Sequence, residues 1–171
     1  QTEREQTAFL EELDGAAEHC IFIGNSALDV PSKVGIKSVS IVACSDPAID
    51  DILGLYCEDA DLGYPTGDGM YISHALAEDA GLKVGDTLPI QLESKAMLEI
   101  PITGIFTNYV SHYAFLTEEG YETWFGIEPE IKSAYVSTSG DLYAVNAALQ
   151  PVHQSVVNFA RFRGSCRGRH F

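Results

Sequence analysis

The chain has 171 residues, of which 46% are hydrophobic and 20% are charged, a composition typical of an ordered globular protein. Its net charge is −15, and residues 161–171 hold four arginines and no acid, so the preceding body is strongly acidic. Such a body repels phosphate backbones, which argues against nucleic acid as a partner, and no run of about 18 apolar residues predicts a membrane-spanning helix.

The first third of the chain predicts two helices and two strands. The sequence opens at Gln1 on helix-like residues, without a signal peptide, which predicts a segment cut from a longer protein. Hydrophobic periodicity indicates an amphipathic helix over 3–18, and strands are predicted over 20–24 and 38–44. A second helix follows, with Asp46 as its N-cap and Pro47 at its first position.

The middle of the chain begins with an acidic loop over residues 57–69. A short strand at 70–72 follows, and then a helix that Ser73 can cap and that Gly81 ends in a left-handed conformation. The stretch from Gly81 to Gly85-Asp86 has no catalytic residue. We interpret Gly81, Gly85 and Asp86 as a structural turn that sets the backbone geometry of the following strands.

The remaining elements mix strands and helices without strict alternation. Two runs with alternating apolar residues, around Leu88–Leu92 and Leu98–Ile102, predict an antiparallel hairpin. Thr117 is predicted to cap an aromatic helix that ends at Gly126. The pattern then gives a strand at 133–139, a helix at 141–149 and a strand at 155–159. The predicted fold class is therefore α+β with mostly antiparallel pairing.

Candidate chemistry is sparse. The sequence contains no H-E-x-x-H, G-x-S-x-G, Walker or G-x-G-x-x-G motif, so no catalytic, metal-binding or cofactor-binding residue is predicted. Cys57 with His74 is a formal nucleophile pair that lacks a third orienting group. Among the four cysteines, Cys20 and Cys44 are the best candidates for a disulfide, and buried free thiols are the alternative.

Three segments in order resemble a known family. They are "YISHALAEDAGLKVGDTLPIQL" at 71–92, "LEIPITGIFTNYVSHYAFLTEEGYETWFG" at 98–126 and "SAYVSTSGDLYAVNAAL" at 133–149. Together they resemble the extracytoplasmic, MacB-like periplasmic core domain of FtsX/MacB-type ABC transporter permeases. The resemblance covers roughly residues 35 to 160 and departs from the family at the basic "FRGSCRGRHF" end, which is interpreted as disordered or foreign.

The resemblance implies a two-lobed architecture without an active site. Residues 1–56 plus 133–160 would form a membrane-proximal α/β lobe, residues 57–132 an inserted, mostly β lobe, and residues 161–171 a basic tail. The domain would lie outside the plasma membrane and relay ATP-driven motion to an external substrate or partner. Its partners would be the permease's own transmembrane helices, a cytoplasmic ABC ATPase and an external protein or peptide.

The acidic loop is the predicted partner-binding surface. Asp59, Asp61 and Asp68 would attract a basic peptide, and we expect the loop to lie on the inserted lobe, farthest from the membrane. Two alternatives stay open at the level of sequence: a small β-barrel ligand-binding domain of an enzyme, and a secreted ligand-binding module. Apolar runs of about 20 residues on both sides of the segment in its parent gene would favour the permease.

Overall fold

The computed structural model describes residues 3–13, 17–57, 60–108 and 111–137. The described elements are α1 Glu3–Glu12, β1 His19–Ser32, β2 Gly35–Ala43, α2 Ile49–Leu53, β3 Tyr56–Cys57, β4 Ala60–Asp61, β5 Met70–Ser73, α3 His74–Ala80, β6 Thr87–Gln91, β7 Met97–Phe106, β8 Tyr113–Leu116, α4 Glu118–Phe125 and β9 Ile131–Ser137. The predicted elements at 141–149 and 155–159 lie outside the described residues. None of the described helices has the length and apolarity that crossing a bilayer requires.

Six strands of the main sheet pair in a closed ring. Their order is β2-β8-β5-β7-β6-β1, and β1 pairs again with β2, so the last strand meets the first. The pairings β2–β8 and β5–β7 are parallel, and the others are antiparallel, so the sheet is mixed. Closure removes the open edges that would otherwise expose unpaired backbone groups. The α+β class predicted from the sequence is confirmed.

Alternating side chains of the ring strands enter two separate cores. In β2, Ile41 and Ala43 face the interior cluster, whereas Val42 packs in a second cluster on the outer face beneath α2. In β8, Ala114 and Leu116 point inward and Phe115 outward. This is the side-chain alternation of a strand that is buried on both faces, and it explains why these runs are almost wholly apolar.

The ring has two rims, which the strand directions define. The upper rim is the side where β1, β5 and β7 end and where β2, β6 and β8 begin; α3 follows β5 there, and its Leu76 and Ala77 enter the interior cluster. The lower rim is the opposite side, where β2, β6 and β8 end.

Both described ends of the chain leave at the lower rim. The first half of β1 projects beyond the ring and pairs antiparallel with β9, from His19 with Ser137 to Gly24 with Ile131. The backbone N–H of Glu18 donates to the carbonyl of Ser137 at 2.8 Å. Phe9 of helix α1 and Leu13, which directly follows the helix, pack on this pair of strands. The start of β1 and the end of β9 are therefore neighbours.

The predicted division into two lobes stays a prediction. The pairing of β1 with β9 joins residues from both sides of the segment 57–132. The pairing of β2 with β8 in turn joins the first part of the chain to strands of that segment within one ring. Residues 138–160, which the prediction assigns to the membrane-proximal lobe, lie outside the described residues.

Local capping signals agree with the structure at most positions. The Thr117 side chain accepts the Gly120 N–H at 2.9 Å, and Gly126 ends α4 with φ of 71°. Two predicted caps differ. The N-cap of α2 is Ala48 instead of Asp46, whose carboxylate accepts the Ala48 N–H at 2.9 Å. The Ser73 hydroxyl makes no cap and instead accepts the backbone N–H of Tyr113 at 3.1 Å. Ser73 is fully buried, so its hydroxyl satisfies a backbone donor of β8 rather than the helix.

Candidate functional site

The acidic loop contributes exposed carboxylates at Asp61 and Asp68, while Asp59 lies outside the described residues. The Asp61 carboxylate accepts the backbone N–H of Gly63 at 3.3 Å. The Asp68 backbone carbonyl accepts the indole N–H of Trp124 at 2.7 Å. No group of three potential metal ligands occurs among residues 3–13, 17–57, 60–108 and 111–137. The described carboxylates thus provide negative charge without a coordination site.

The second half of this loop contacts the end of β8. The Tyr64 hydroxyl donates to the carbonyl of Leu116 at 2.9 Å, and the Thr117 hydroxyl donates to the carbonyl of Gly67 at 3.1 Å. Both contacts are at the end of β8, which belongs to the lower rim. Gly67, which directly precedes Asp68, therefore lies at the lower rim, and the expectation that the loop is farthest from the membrane stays a prediction. Partner binding by Asp59, Asp61 and Asp68 stays a prediction.

Carboxylates crowd one another where the loop meets α2. The pKa of Asp50 is raised, first because the group is partly desolvated and then because Asp61 and Asp51 are nearby negative charges. A nearby negative charge makes ionisation of a carboxyl group less favourable. A basic partner group would relieve that repulsion, which is the physical case for cation attraction at this surface.

The turn after α3 has the hydrogen bonds of a Schellman motif. The N–H of Leu82 donates to the carbonyl of Ala77 at 2.9 Å, and the N–H of Gly81 donates to that of Glu78 at 3.2 Å. Gly81 has φ of 69°, and Leu82 packs back on the interior cluster. Sequence reasoning located this helix end because its signal is local.

Substitution of Gly81 tests the turn. We expect Gly81→Ala to lower the free energy of unfolding by about 1–2 kcal/mol, because an L-residue is disfavoured at positive φ. The new methyl group would also meet the side chain of Lys33. Urea denaturation of both proteins measures the loss. Gly85→Ala is the matched control, since Gly85 has φ of 96° but a methyl group added there would have no neighbouring atom within 4 Å, so a larger loss at Gly85 would contradict the steric part of the argument.

Asp86 fixes the second half of the turn. Its carboxylate accepts the backbone N–H of Lys83 at 3.0 Å, and its carbonyl accepts the N–H of Ile102 at 2.8 Å. The N–H of Gly85 donates to the carbonyl of Ile102 at 2.9 Å. The turn is thereby tied to β7, which aligns β6 with its antiparallel partner.

A second turn of the same sequence lies on the same rim, and sequence reasoning missed it. Lys33-Val34-Gly35 connects β1 to β2, and Lys83-Val84-Gly85 precedes β6. In each turn the glycine has positive φ, 109° at Gly35 and 96° at Gly85. The repeated Lys-Val-Gly triplet is a signal that could have revealed the pair. Its two copies are 50 residues apart, so only the pairing of β1 with β6 brings them to one place.

An ion-pair network holds α3 at the upper rim. The Asp79 carboxylate lies 3.1 Å from the Lys37 ammonium on β2 and 3.0 Å from Nε2 of His112, just before β8. Hydrogen bonding from Lys37 is the main cause that lowers the pKa of Asp79, and the bond to His112 adds to it. The network connects the helix to two strands that the sequence places far from it.

The pH dependence of stability tests this network. Because the folded-state pKa of Asp79 is depressed, its carboxylate contributes stability above its ordinary value of 3.8 and loses that contribution as pH falls through the folded-state pKa. The difference in urea midpoint between the parent chain and Asp79→Asn should therefore be largest near neutral pH and shrink in acid. A difference that stays constant from pH 7 to pH 3 would show that the ion pairs contribute nothing.

Cys20, Cys44 and Cys57 are free thiols, so of the two alternatives left open for Cys20 and Cys44 the structure has the free thiols. Cys20 faces α1 in the cluster of Phe9 and Leu13, whereas Cys44 is fully buried in the outer cluster beneath α2. The strand register places Gly24, not Cys20, beside Ala43, so the two thiols are also offset along β1. Burial raises the pKa of both thiols to about 11, which disfavours the nucleophilic thiolate.

The geometry gives little support to a nucleophile pair of Cys57 with His74 or to the enzyme alternative. His74 lies on α3 with Nδ1 3.5 Å from a carboxylate oxygen of Glu78, and Cys57 lies on β3.

A cavity of about 100 Å³ lies between β1 and the segment after α4. It is lined by Asn25, Ser26, Tyr121, Ile127, Glu128, Pro129, Glu130 and Lys132. Metabolite-sized sites occupy roughly 300–1,000 Å³, so this cavity does not support the enzyme alternative.

No protein-family model matches the sequence. No curated protein matches it significantly. Solved structures do resemble it. The extracellular domain of the noncanonical ABC-type transporter YknZ from Gram-positive bacteria matches with a TM-score of 0.52 and 12% identity, covering 86% of this chain and 78% of that one.

Two further structures are similar at lower scores. A domain of a putative permease protein from Porphyromonas gingivalis has a TM-score of 0.43 and 21% identity, over 85% of this chain and 66% of that one. The periplasmic region of MacB from Actinobacillus actinomycetemcomitans has a TM-score of 0.46 and 9% identity, over 83% of this chain and 71% of that one. At the level of fold, the likeness to YknZ confirms the resemblance that the sequence indicated.

Proposed function

We propose that this chain is the extracytoplasmic domain of an ABC transporter permease and that it performs no catalysis of its own. The observation that carries the proposal is the fold shared with the extracellular domain of YknZ. The domain would sit on the outer face of the plasma membrane, attached to the transmembrane helices of the permease. A cytoplasmic ABC ATPase would supply the motion, and the domain would relay it to an external substrate or protein.

The positions of the start of β1 and the end of β9 support this role. Glu18 and Ser137 are hydrogen-bonded neighbours at the lower rim, so two membrane-spanning segments could approach the domain side by side. A change in their relative position would act directly on the β1–β9 pair. From there β1 continues without interruption to the upper rim, since its fourteen residues form one strand. The fold thus provides a continuous path from the attachment point to the far side.

The proposal is tested in the complete transporter by replacing residues 19–137 with a short Gly-Ser linker. Because Glu18 and Ser137 are adjacent, a linker of a few residues keeps the spacing of the flanking segments. We expect ATP hydrolysis and membrane insertion to persist while export, or the regulated external activity, is lost. Unchanged output from the shortened permease would contradict the proposal. A permease with Glu78→Ala, an exposed position on α3, is the matched control for substitution within the intact domain.

A further inference from the structure

The two Lys-Val-Gly turns present an exposed apolar surface. Val34 and Ile36 beside the first turn are each 65% exposed, and Val84 in the second is 55% exposed. Helix α3 covers another part of this rim, and its Leu76 is completely buried. Aliphatic side chains grouped at a rim, rather than scattered singly, mark a contact surface.

The two turns are neighbours in space. β1 pairs with β6 at Asp29 and Gln91 in antiparallel fashion, so the end of β1 lies beside the start of β6. The backbone N–H of Lys33 donates to the carbonyl of Asp79 at 3.3 Å, and the Lys33 side chain lies against Gly81. The first turn therefore contacts the segment from which the second turn emerges.

The same surface carries unpaired positive charge on a strongly acidic body. Within the described ranges, neither Lys33 nor Lys83 has a carboxylate within 4.0 Å of its ammonium, whereas nearby Lys37 is paired with Asp79. The Asp86 carboxylate is directed to the backbone N–H of Lys83. Two ammonium groups that have no ion-pair partner among the described residues thus flank three exposed aliphatic side chains, in a chain with 25 acidic residues.

We propose that the paired Lys-Val-Gly turns form the docking site for an external protein whose contact surface presents aliphatic side chains flanked by carboxylates. This inference rests on the proposed function and identifies the chemistry of the partner. The aliphatic cluster would be covered by apolar side chains, and Lys33 and Lys83 would pair with the partner's acids. The location fits, because the upper rim is opposite to the rim where β1 begins and β9 ends, so in the proposed permease it would face away from the bilayer.

Charge sets the selectivity of this surface. A partner with basic residues would be attracted to the acidic loop at the lower rim, whereas an acidic partner is repelled by most of the body and accepted only between the two turns. The lysines therefore select both the partner and its orientation. Attraction of this kind weakens as salt is raised, because exposed charges are screened over about 8 Å at physiological ionic strength.

Site-specific photo-cross-linking in the complete transporter tests the proposal. A benzophenone side chain is introduced at Val34, at Val84 or, as a matched control, at Met97, which is 47% exposed beside the lower-rim turn between β6 and β7. We expect cross-links from positions 34 and 84 to a protein other than the permease, and none from position 97. The cross-linked peptide should contain Asp or Glu next to Leu, Ile or Val.

Charge reversal supplies the second measurement. Lys33→Glu with Lys83→Glu should reduce the cross-linked product at least about tenfold, because it turns two attractive charge pairs at the edge of the interface into repulsive ones. Lys95→Glu, in the lower-rim turn, should leave it unchanged. Absence of a cross-link, a cross-link to lipid or only to a second copy of the chain, or equal loss with Lys95→Glu would overturn the inference. The proposed function fails separately, if linker replacement of the domain leaves transporter output intact.

Discussion

Phe115→Ala is expected to lower the free energy of unfolding by about 3–5 kcal/mol, the usual cost of removing a buried aromatic ring from a packed core. The Phe115 side chain is 1% exposed at the centre of the outer cluster. Its ring centroid lies 5.1 Å from that of Phe106, 5.9 Å from Tyr64 and 6.1 Å from Tyr113. The cavity left by alanine would therefore deprive three aromatic rings of contacts.

A loss of this size is a large part of the roughly 5–15 kcal/mol that stabilises a typical domain. Urea denaturation followed by the fluorescence of Trp124, the single tryptophan of the chain, measures it. Val34→Ala is the matched control, because Val34 is 65% exposed and its truncation should stay within about 0.5 kcal/mol. Similar losses at Phe115 and Val34 would mean that the outer cluster is not a packed core.

Leu76→Ala should cost about 2–5 kcal/mol, for a different reason. Leu76 is completely buried and brings α3 into the interior cluster of the ring at its upper rim. The cavity would open between the helix and the strands that it covers. Because Gly81 and Leu82 continue directly from α3, loosening the helix should also disturb the turn that contains Lys83 and Val84.

The same helix offers a control for Leu76. Glu78 is exposed, and its contact with His74 at 3.5 Å is a surface pair between residues four apart. Such pairs contribute little, so Glu78→Ala should change the free energy of unfolding by no more than about 0.5 kcal/mol. Amide hydrogen exchange at the turn, compared between the two variants, would show whether Leu76 alone stabilises it. Equal protection in both would contradict that link.

Sequence reasoning succeeded where the physical signal is local. The helix ends at Gly81 and Gly126 and the cap at Thr117 depend on a few adjacent residues, and all three have the expected geometry. The strand β1 was predicted too short, at 20–24 instead of His19–Ser32. Gly24-Asn25-Ser26 and Pro31 interrupt the apolar pattern there, and pairing with β2, β6 and β9 overrides those weak preferences.

The candidate site was harder to anticipate, because it depends on contacts between distant residues. The acidic loop was conspicuous by composition, yet the bonds from Tyr64 and Thr117 place its second half at the lower rim. The two Lys-Val-Gly turns do not stand out in the sequence, since each reads as an ordinary tight turn. Only the closure of the ring between β1 and β6 makes them one surface.

The arrangement of β1 and β9 makes the response of the domain to force depend on direction. A force that separates Glu18 from Ser137 would break the hydrogen bonds between the two strands one after another, as in opening a zipper. A push or twist along β1 instead meets a strand of roughly 45 Å at about 3.3 Å per residue, supported by the ring over much of its length. The β1–β9 pair should therefore open readily when Glu18 and Ser137 are pulled apart, and should resist a force that acts along β1.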